Sequence, residues 1–250
     1  MMKKVSVIMP MYNMELFVGD AIESVVSQTY PNWELLITDD CSTDNSVNVV
    51  KKYMERDKRI NLFSTDHNTG SPSEPRNISL SQATGELVAF LDSDDMWLPC
   101  KLWEQVEFME ENHYSFIYSD VEKVSCDGRR SNRIDHMKAK TYYKDMLKFC
   151  RISNGGALIT REMIGEVRYK SIPKEDFGFW LDILRKGGMA YGTGRIHALY
   201  RVRPNSRSGC ISRRIREQWF ILRRVERISL VQSLYFMLPF AYNGLIRYLK

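Results

Sequence analysis

Val5 to Met9 is a short apolar run rich in β-branched residues, and Val18, Ile22 and Val25/Val26 then recur at helical spacing. Trp33 to Thr38 is a second strand, Val47, Val50 and Met54 mark a second helix, and Asn61 to Ser64 and Leu87 to Leu91 read as further strands. The order is βαβα, which calls for a mostly parallel sheet with helices on its faces. In such sheets ligands bind beyond the carboxyl ends of the strands, near the point where the strand order reverses. The polar residues directly after each strand are therefore the ones that carry chemistry. Past Asp120 the pattern loosens. Val121 to Arg133, with Asp127-Gly128 as its turn, reads as a hairpin, Tyr142 to Phe149 as a helix, and Phe177 to Lys186 as a helix ended by Gly187-Gly188.

A chain of 250 residues that is 44% hydrophobic with only 14 Gly and 8 Pro is neither fibrous nor disordered, and it has room for one large domain or a domain with an appendage. Its five cysteines include no C-x-x-C pair, so no disulfide framework or zinc site is expected and a reducing compartment is implied. The net charge of +5 conceals an asymmetry, because residues 195–250 hold twelve Lys+Arg against only Glu217 and Glu226. An acidic body therefore carries a strongly basic tail, the arrangement that suits a polyanionic partner. The run after Met1-Met2-Lys3-Lys4 reaches Pro10 too soon for a signal peptide, and the body is expected to stay cytosolic.

The second strand leads into Asp39-Asp40-Cys41-Ser42-Thr43-Asp44. Capping of the following helix accounts for Asp44 but not for Asp39 and Asp40, whose acceptor-only oxygens suit the N–H groups and hydroxyls of a nucleoside. The strand Leu87 to Leu91 leads into Asp92-Ser93-Asp94-Asp95, three carboxylates whose mutual repulsion a hard divalent cation relieves. Tyr12 follows the first strand, where it either stacks on a base or fills a turn, and Arg76 either pairs with phosphate or is solvated. Glu175-Asp176 opens a helix, where the dipole favours ionised carboxylates. One of the two, with Asp176 preferred, reads as a general base. No G-x-G-x-x-G follows the first strand and no G-x-x-x-x-G-K-[ST] occurs, which disfavours dehydrogenases and P-loop ATPases.

The ordered set Val5 to Asn13, Asp39 to Asp44, Arg76-Asn77, Gly85-Glu86, Asp92 to Asp95 with Trp97, and Glu175-Asp176 with Trp180 resembles the motifs of family 2 glycosyltransferases, as found in bacterial O-antigen and polysaccharide synthesis. Cys41 stands where that family usually has Gly. The resemblance implies an α/β GT-A fold over residues 1–208, with a donor-binding half at about 1–120 and an acceptor-binding half at about 121–208. It implies that Pro10, Tyr12, Asp39 and Arg76 hold the nucleotide of a UDP-sugar. Asp92 and Ser93 would contact ribose and sugar, Asp94 would ligate Mn²⁺ or Mg²⁺ with Asp95 as a further candidate, and Asp176, or else Glu175, would be the base. Trp180 is left as an acceptor contact. The expected reaction is inverting transfer of a hexose from UDP to a lipid-linked saccharide. The alternatives are a nucleotidyltransferase on a related fold and a non-catalytic nucleotide-sugar binder, the latter disfavoured by the intact Glu175-Asp176 pair.

After Tyr200 to Ser206, which resembles the family's late loop over the donor diphosphate, Ile215, Trp219, Leu222, Val225 and Ile228 fall on one helical stripe and Arg216, Arg223 and Arg227 on another face. Residues 209–250 are expected to form amphipathic basic helices on an anionic membrane surface, with no nucleic-acid partner. Ile228 to Ile246 is uncharged but interrupted by Gln232, Pro239, Asn243 and Gly244, which predicts two short interfacial helices broken near Pro239. Together these place the protein peripherally at the cytoplasmic face of the cell membrane.

Overall fold

The computed structural model describes residues 2–203 and 211–249, with the backbone alone at 211 and 241–249. The elements run β1 (Val5–Met11), α1 (Val18–Val26), β2 (Trp33–Asp39), α2 (Ser46–Arg56), β3 (Ile60–Ser64), α3 (Ser73–Ser81) and β4 (Leu87–Phe90). Then come β5 (Met96–Trp97), α4 (Lys101–Glu111), β6 (Phe116–Val124), β7 (Arg130–Asp135), β8 (Lys140–Thr141) and α5 (Tyr143–Lys148). They are followed by β9 (Ala157–Thr160), α6 (Arg161–Ile164), α7 (Glu175–Arg185) and β10 (Ala190–Arg201), and by the tail helices α8 (Ile211–Phe220) and α9 (Leu230–Leu249).

One mixed sheet has the order β3-β2-β1-β4-β9-β6-β10-β5, with β7 added beside β6 and β8 beside β10. β1 pairs parallel with β2 on one side and with β4 on the other, so the strand order reverses at β1. β9 is antiparallel to both β4 and β6, and β10 is parallel to β6. The α/β expectation and the hairpin (β6–β7) hold. The pattern gave no sign of β10, because two register irregularities between Gly192 and Ala198 break its period-two alternation.

Alternation along the central strands explains why both sheet faces are covered. Val5, Val7, Met9, Leu35, Ile37 and Ala89 belong to one core with α1 and α4; Ile8, Leu36, Val88, Phe90, Phe116 and Tyr118 belong to the other, with α7. The approach of the chain before β4 to β1 requires glycine at position 85, where a β carbon would lie 2.5 Å from the Lys4 carbonyl oxygen.

The tail differs from expectation in two ways. Its apolar stripe turns inward: Ile221 and Leu222 are fully buried in the α7-side core, and Val225 and Ile228 pack against it. Only Ile215, of the predicted stripe, is exposed, and Trp219 is half-buried. Secondly, α9 is one helix of 20 residues that passes through Pro239 without ending. Phe236 and Met237 before the proline and Phe240 after it pack on the body, and their burial outweighs the one ladder hydrogen bond that proline removes. α8 runs into α9 through a π-helical turn at Ile221–Val225. The boundary expected at 208 and the loop residues Pro204 to Ser206 lie outside the described residues.

Candidate active site

The carboxyl ends of β1, β2 and β4 deliver their loops to one edge of the sheet, at the reversal point. Pro10 is buried at the end of β1, and Tyr12 just beyond it is 43% exposed, free to offer its ring to a ligand. Asn13, at φ 50, clasps the neighbouring loop: its side-chain oxygen accepts from the Thr43 amide at 2.8 Å and its own amide donates to Ser42 Oγ at 2.9 Å.

Asp39 and Asp40 have separate tasks. Asp40 is buried and accepts from Thr65 Oγ1 at 3.0 Å and from the Thr69 amide and hydroxyl at 3.0 Å each, so it fixes the loop that leads to α3. In Asp39 one carboxylate oxygen accepts from the Ser42 amide at 3.1 Å, and the other, Oδ1, is buried with no partner. A buried carboxylate oxygen left unpaired is costly. Cys41 sits at φ 59, the left-handed region that favours glycine, which accounts for the family's preference there. Asp44 takes the structural part expected of it, accepting from the Ser46 amide at 2.9 Å and the Glu15 amide at 3.0 Å.

The loop after β4 divides in the same way. Asp95 points inward and accepts from the Arg201 amide at 2.8 Å; burial, and then the charges of Asp94 and Asp92, push its carboxyl well above the ordinary range. Asp94 is ion-paired to Arg203 at 2.7 Å, and burial followed by Asp92 raises it too. Ser93 is buried. Asp92 is the most open of the three, with its side chain 35% exposed.

Arg76 ties this loop to α7. It is buried, and its guanidinium donates to Asp92 Oδ1 at 2.6 Å and to Glu175 Oε1 at 2.9 Å while lying 5.2 Å from the Tyr169 ring centre. Tyr169 stacks on Phe179 at 4.0 Å, which fixes the platform. One guanidinium thus spans the acids after β4 and the acids opening α7, a link between residues sixteen and ninety-nine positions from it that sequence spacing does not reveal. With Glu175 held by Arg76, Asp176 is the carboxylate of that pair without a cationic partner, and its Oδ1 accepts only from the Phe177 amide, at 2.7 Å. Burial, and next the charge of Glu175, raise it to about 6. Trp180 does not reach the cleft. It is fully buried edge-on to Phe90, with ring centres 5.3 Å apart, because one turn beyond Asp176 the helix faces the core.

A second group of side chains suited to a metal lies elsewhere. Cys100, Glu104 and His197 bring ligand atoms within 4.8 Å of one another, the one such cluster among the described residues. It joins the start of α4 to β10, so no C-x-x-C or local spacing announces it. Glu104 there is already paired with Arg195 at 2.8 Å and with His197 at 3.0 Å. A thiol and an imidazole suit a softer metal than the hard, oxygen-seeking cations that bind diphosphates.

The reversal point of this mixed sheet thus gathers acids from the ends of β2 and β4 and, through Arg76, those that open α7. The chain belongs to glycosyl transferase family 2, whose family model matches residues 6–168. It is 35% identical over 241 residues to TuaG of Bacillus subtilis (strain 168), a glycosyltransferase named for teichuronic acid biosynthesis, covering 96% of this chain and 95% of that one. It is 35% identical over 219 residues to WfgD of Escherichia coli, a UDP-Glc:alpha-D-GlcNAc-diphosphoundecaprenol beta-1,3-glucosyltransferase, covering 87% and 85%. Among solved structures, Staphylococcus aureus TarS 1–349 in complex with UDP-GlcNAc shares the fold with a TM-score of 0.72 at 21% identity, over 89% of this chain and 65% of that one.

Proposed function

We propose that this glycosyltransferase moves a hexose from a UDP-sugar, with inversion, to a hydroxyl of a lipid-linked saccharide during assembly of a bacterial surface polysaccharide. The observation that carries the reading is Arg76, which joins Asp92 and Glu175 and so sets donor acids and base pair on either side of one guanidinium. The relatives supply the chemistry of donor and acceptor, since WfgD is named for UDP-Glc and a diphosphoundecaprenol-linked sugar.

In this reading Asp39 Oδ1 accepts from the nucleobase and Tyr12 covers it. Asp92, with Ser93 buried beneath, orients ribose and sugar, and Arg76 steadies Asp92. The donor set after β4 is all oxygen, with the charge of Asp92 adding to Asp94's need for a cation, and it fits Mn²⁺ or Mg²⁺. Asp94 would hold that ion, which when bound neutralises charge growing on the departing diphosphate. Arg203, now on Asp94, is placed to add its charge to the same phosphates. Asp95 keeps the loop in shape through Arg201. Asp176 takes the proton of the acceptor hydroxyl as that oxygen attacks the anomeric carbon opposite the leaving UDP, a contribution of roughly 10²–10⁴ in rate.

The raised Asp176 gives the pH dependence its sign. Below about 6 the carboxyl holds its proton and cannot accept another, so kcat falls toward acid and levels off above that value. Asp176→Asn is expected to abolish transfer while UDP binding by calorimetry is retained, and a variant with full activity removes Asp176 from the role. Release of UDP rather than pyrophosphate separates transfer from a nucleotidyl reaction.

Membrane contact is assigned to α9 instead of the buried stripe. No helix among the described residues is long and apolar enough to cross a membrane. α9 turns Leu230, Val231, Leu234, Tyr235 and Leu238 outward, each at least 54% exposed and spaced to form one face. With Arg216, Arg224 and Arg227 exposed nearby in sequence, this face suits the surface of an anionic, cytoplasm-facing leaflet. Extraction of the protein from membranes by salt agrees with it, and resistance to both salt and carbonate contradicts it.

A further inference from the structure

Lys174, the residue before Glu175-Asp176, stands at φ 53 and ψ 57. This left-handed conformation is disfavoured for a residue with a β carbon, and it persists only where the surroundings impose it. The Lys174 carbonyl accepts from the Gly178 amide of α7 at 3.1 Å, and the side-chain partners come from the tail. Gln218 of α8, fully buried, accepts from Lys174 Nζ through Oε1 at 3.2 Å and donates through Nε2 to the Leu147 carbonyl of α5 at 3.1 Å. Phe240 of α9 lays its ring 4.9 Å from the same ammonium, and Phe177 approaches it at 5.9 Å. At the far end of α7, Arg185 donates to both oxygens of Glu226 at 2.5 and 2.6 Å, and the Tyr143 hydroxyl donates to that carboxylate as well. The helix that presents Asp176 is therefore gripped at its first turn and at its last by residues 218, 226 and 240.

We propose that the tail is a positioning element for the base: Gln218, assisted by Phe240, holds Lys174 in its left-handed turn and thereby sets the direction in which Asp176 presents its carboxylate. The inference rests on the reading of Asp176 as the base. The tail then has two working faces, an outer one on α9 for lipid and an inner one on α7 for catalysis. Gln218 sits on α8 and Glu226 just after the π-helical turn, between the basic side chains that otherwise characterise this segment.

The test uses the full-length protein and the UDP-hexose and lipid-linked acceptor that the wild type turns over. Gln218→Ala is expected to lower kcat by about 10–100-fold, the scale of a misplaced catalytic group. The donor KM should stay within about twofold and the acidic limb of the kcat–pH profile should move. Gln218→Glu keeps an acceptor for Lys174 and is expected to restore most of kcat. In a Lys174→Gly background, whose backbone takes the left-handed turn unaided, Gln218→Ala should change kcat by less than about twofold. Wild-type kcat and pH profile in folded Gln218→Ala overturn the proposal. So does a fall of kcat that cooling fully reverses with the profile unmoved, or an effect fully additive with Lys174→Gly. Should Gln218→Ala not fold, Phe240→Leu, which removes only the ring beside the ammonium, is read by the same criteria. Asp176→Asn measured alongside keeps the two readings apart: if it is inactive while Gln218→Ala is normal, the positioning role fails and the base stands, and if it is fully active the base itself fails.

Discussion

After β2, Asp40 is saturated by Thr65 and Thr69 while its neighbour Asp39 keeps one buried oxygen without a partner. After β4, Asp95 accepts the Arg201 amide while Asp92 and Asp94 meet the guanidiniums of Arg76 and Arg203. In both loops one carboxylate is tied to backbone or loop donors, and another is tied less fully or to a guanidinium. These others differ in their surroundings. Asp39 Oδ1 is buried without a partner, whereas Asp92 and Asp94 sit among carboxylates and the guanidiniums of Arg76 and Arg203. A run of acids in a sequence is thus not one motif but two kinds of residue, and local hydrogen bonding sorts them.

Four substitutions test that division. Asp94→Ala is expected to have the largest effect, lowering kcat/KM by about 10²–10³-fold or more and removing the Mn²⁺ dependence of donor binding. An unchanged metal titration contradicts the assignment. Asp40→Ala should act on the fold instead, leaving the Thr65 and Thr69 donors unpaired and reducing stability by about 2–4 kcal/mol in urea unfolding. At a temperature where the variant is folded, its donor KM should be near normal. Asp39→Ala reverses that pattern, with unfolding almost unaltered and donor KM raised about 10-fold or more, the weight of one hydrogen bond to a charged acceptor. Equal effects of the two substitutions on KM would dissolve the contrast. Asp95→Asn is the mildest, because the amide oxygen still accepts from Arg201, and less than about 1 kcal/mol of stability should be lost.

Much of this was legible before the structure. Apolar patterning located β1 to β4 with α1 and α2, the strand-end rule drew attention to Asp39, Asp92 and Asp94, and the acids that open a helix to Asp176. The unread parts share a cause. β9 and β10 complete the sheet through partners distant in the chain, and the irregular register of β10 hides its alternation. Arg76 shows a lone arginine in the sequence, and only the fold sets it between Asp92 and Glu175. Helical periodicity found the tail's apolar stripe but could not tell body from bilayer as its partner, since both accept leucine and isoleucine equally. Nor did composition reveal the left-handed turns at Cys41 and Lys174, for neither residue is glycine.

The unpartnered oxygen of Asp39 also bears on which nucleotide the site admits. An ionised carboxylate only accepts hydrogen bonds. Uracil offers N–H at ring position three, whereas cytosine has a bare lone pair there, so a CDP-sugar would set two acceptors face to face in a buried place. A site built around a missing donor rejects the analogue that lacks it more strongly than a merely tight pocket does. On the proposed assignment of Asp39 to the nucleobase, one atom at the end of β2 would thereby be a reader of pyrimidines.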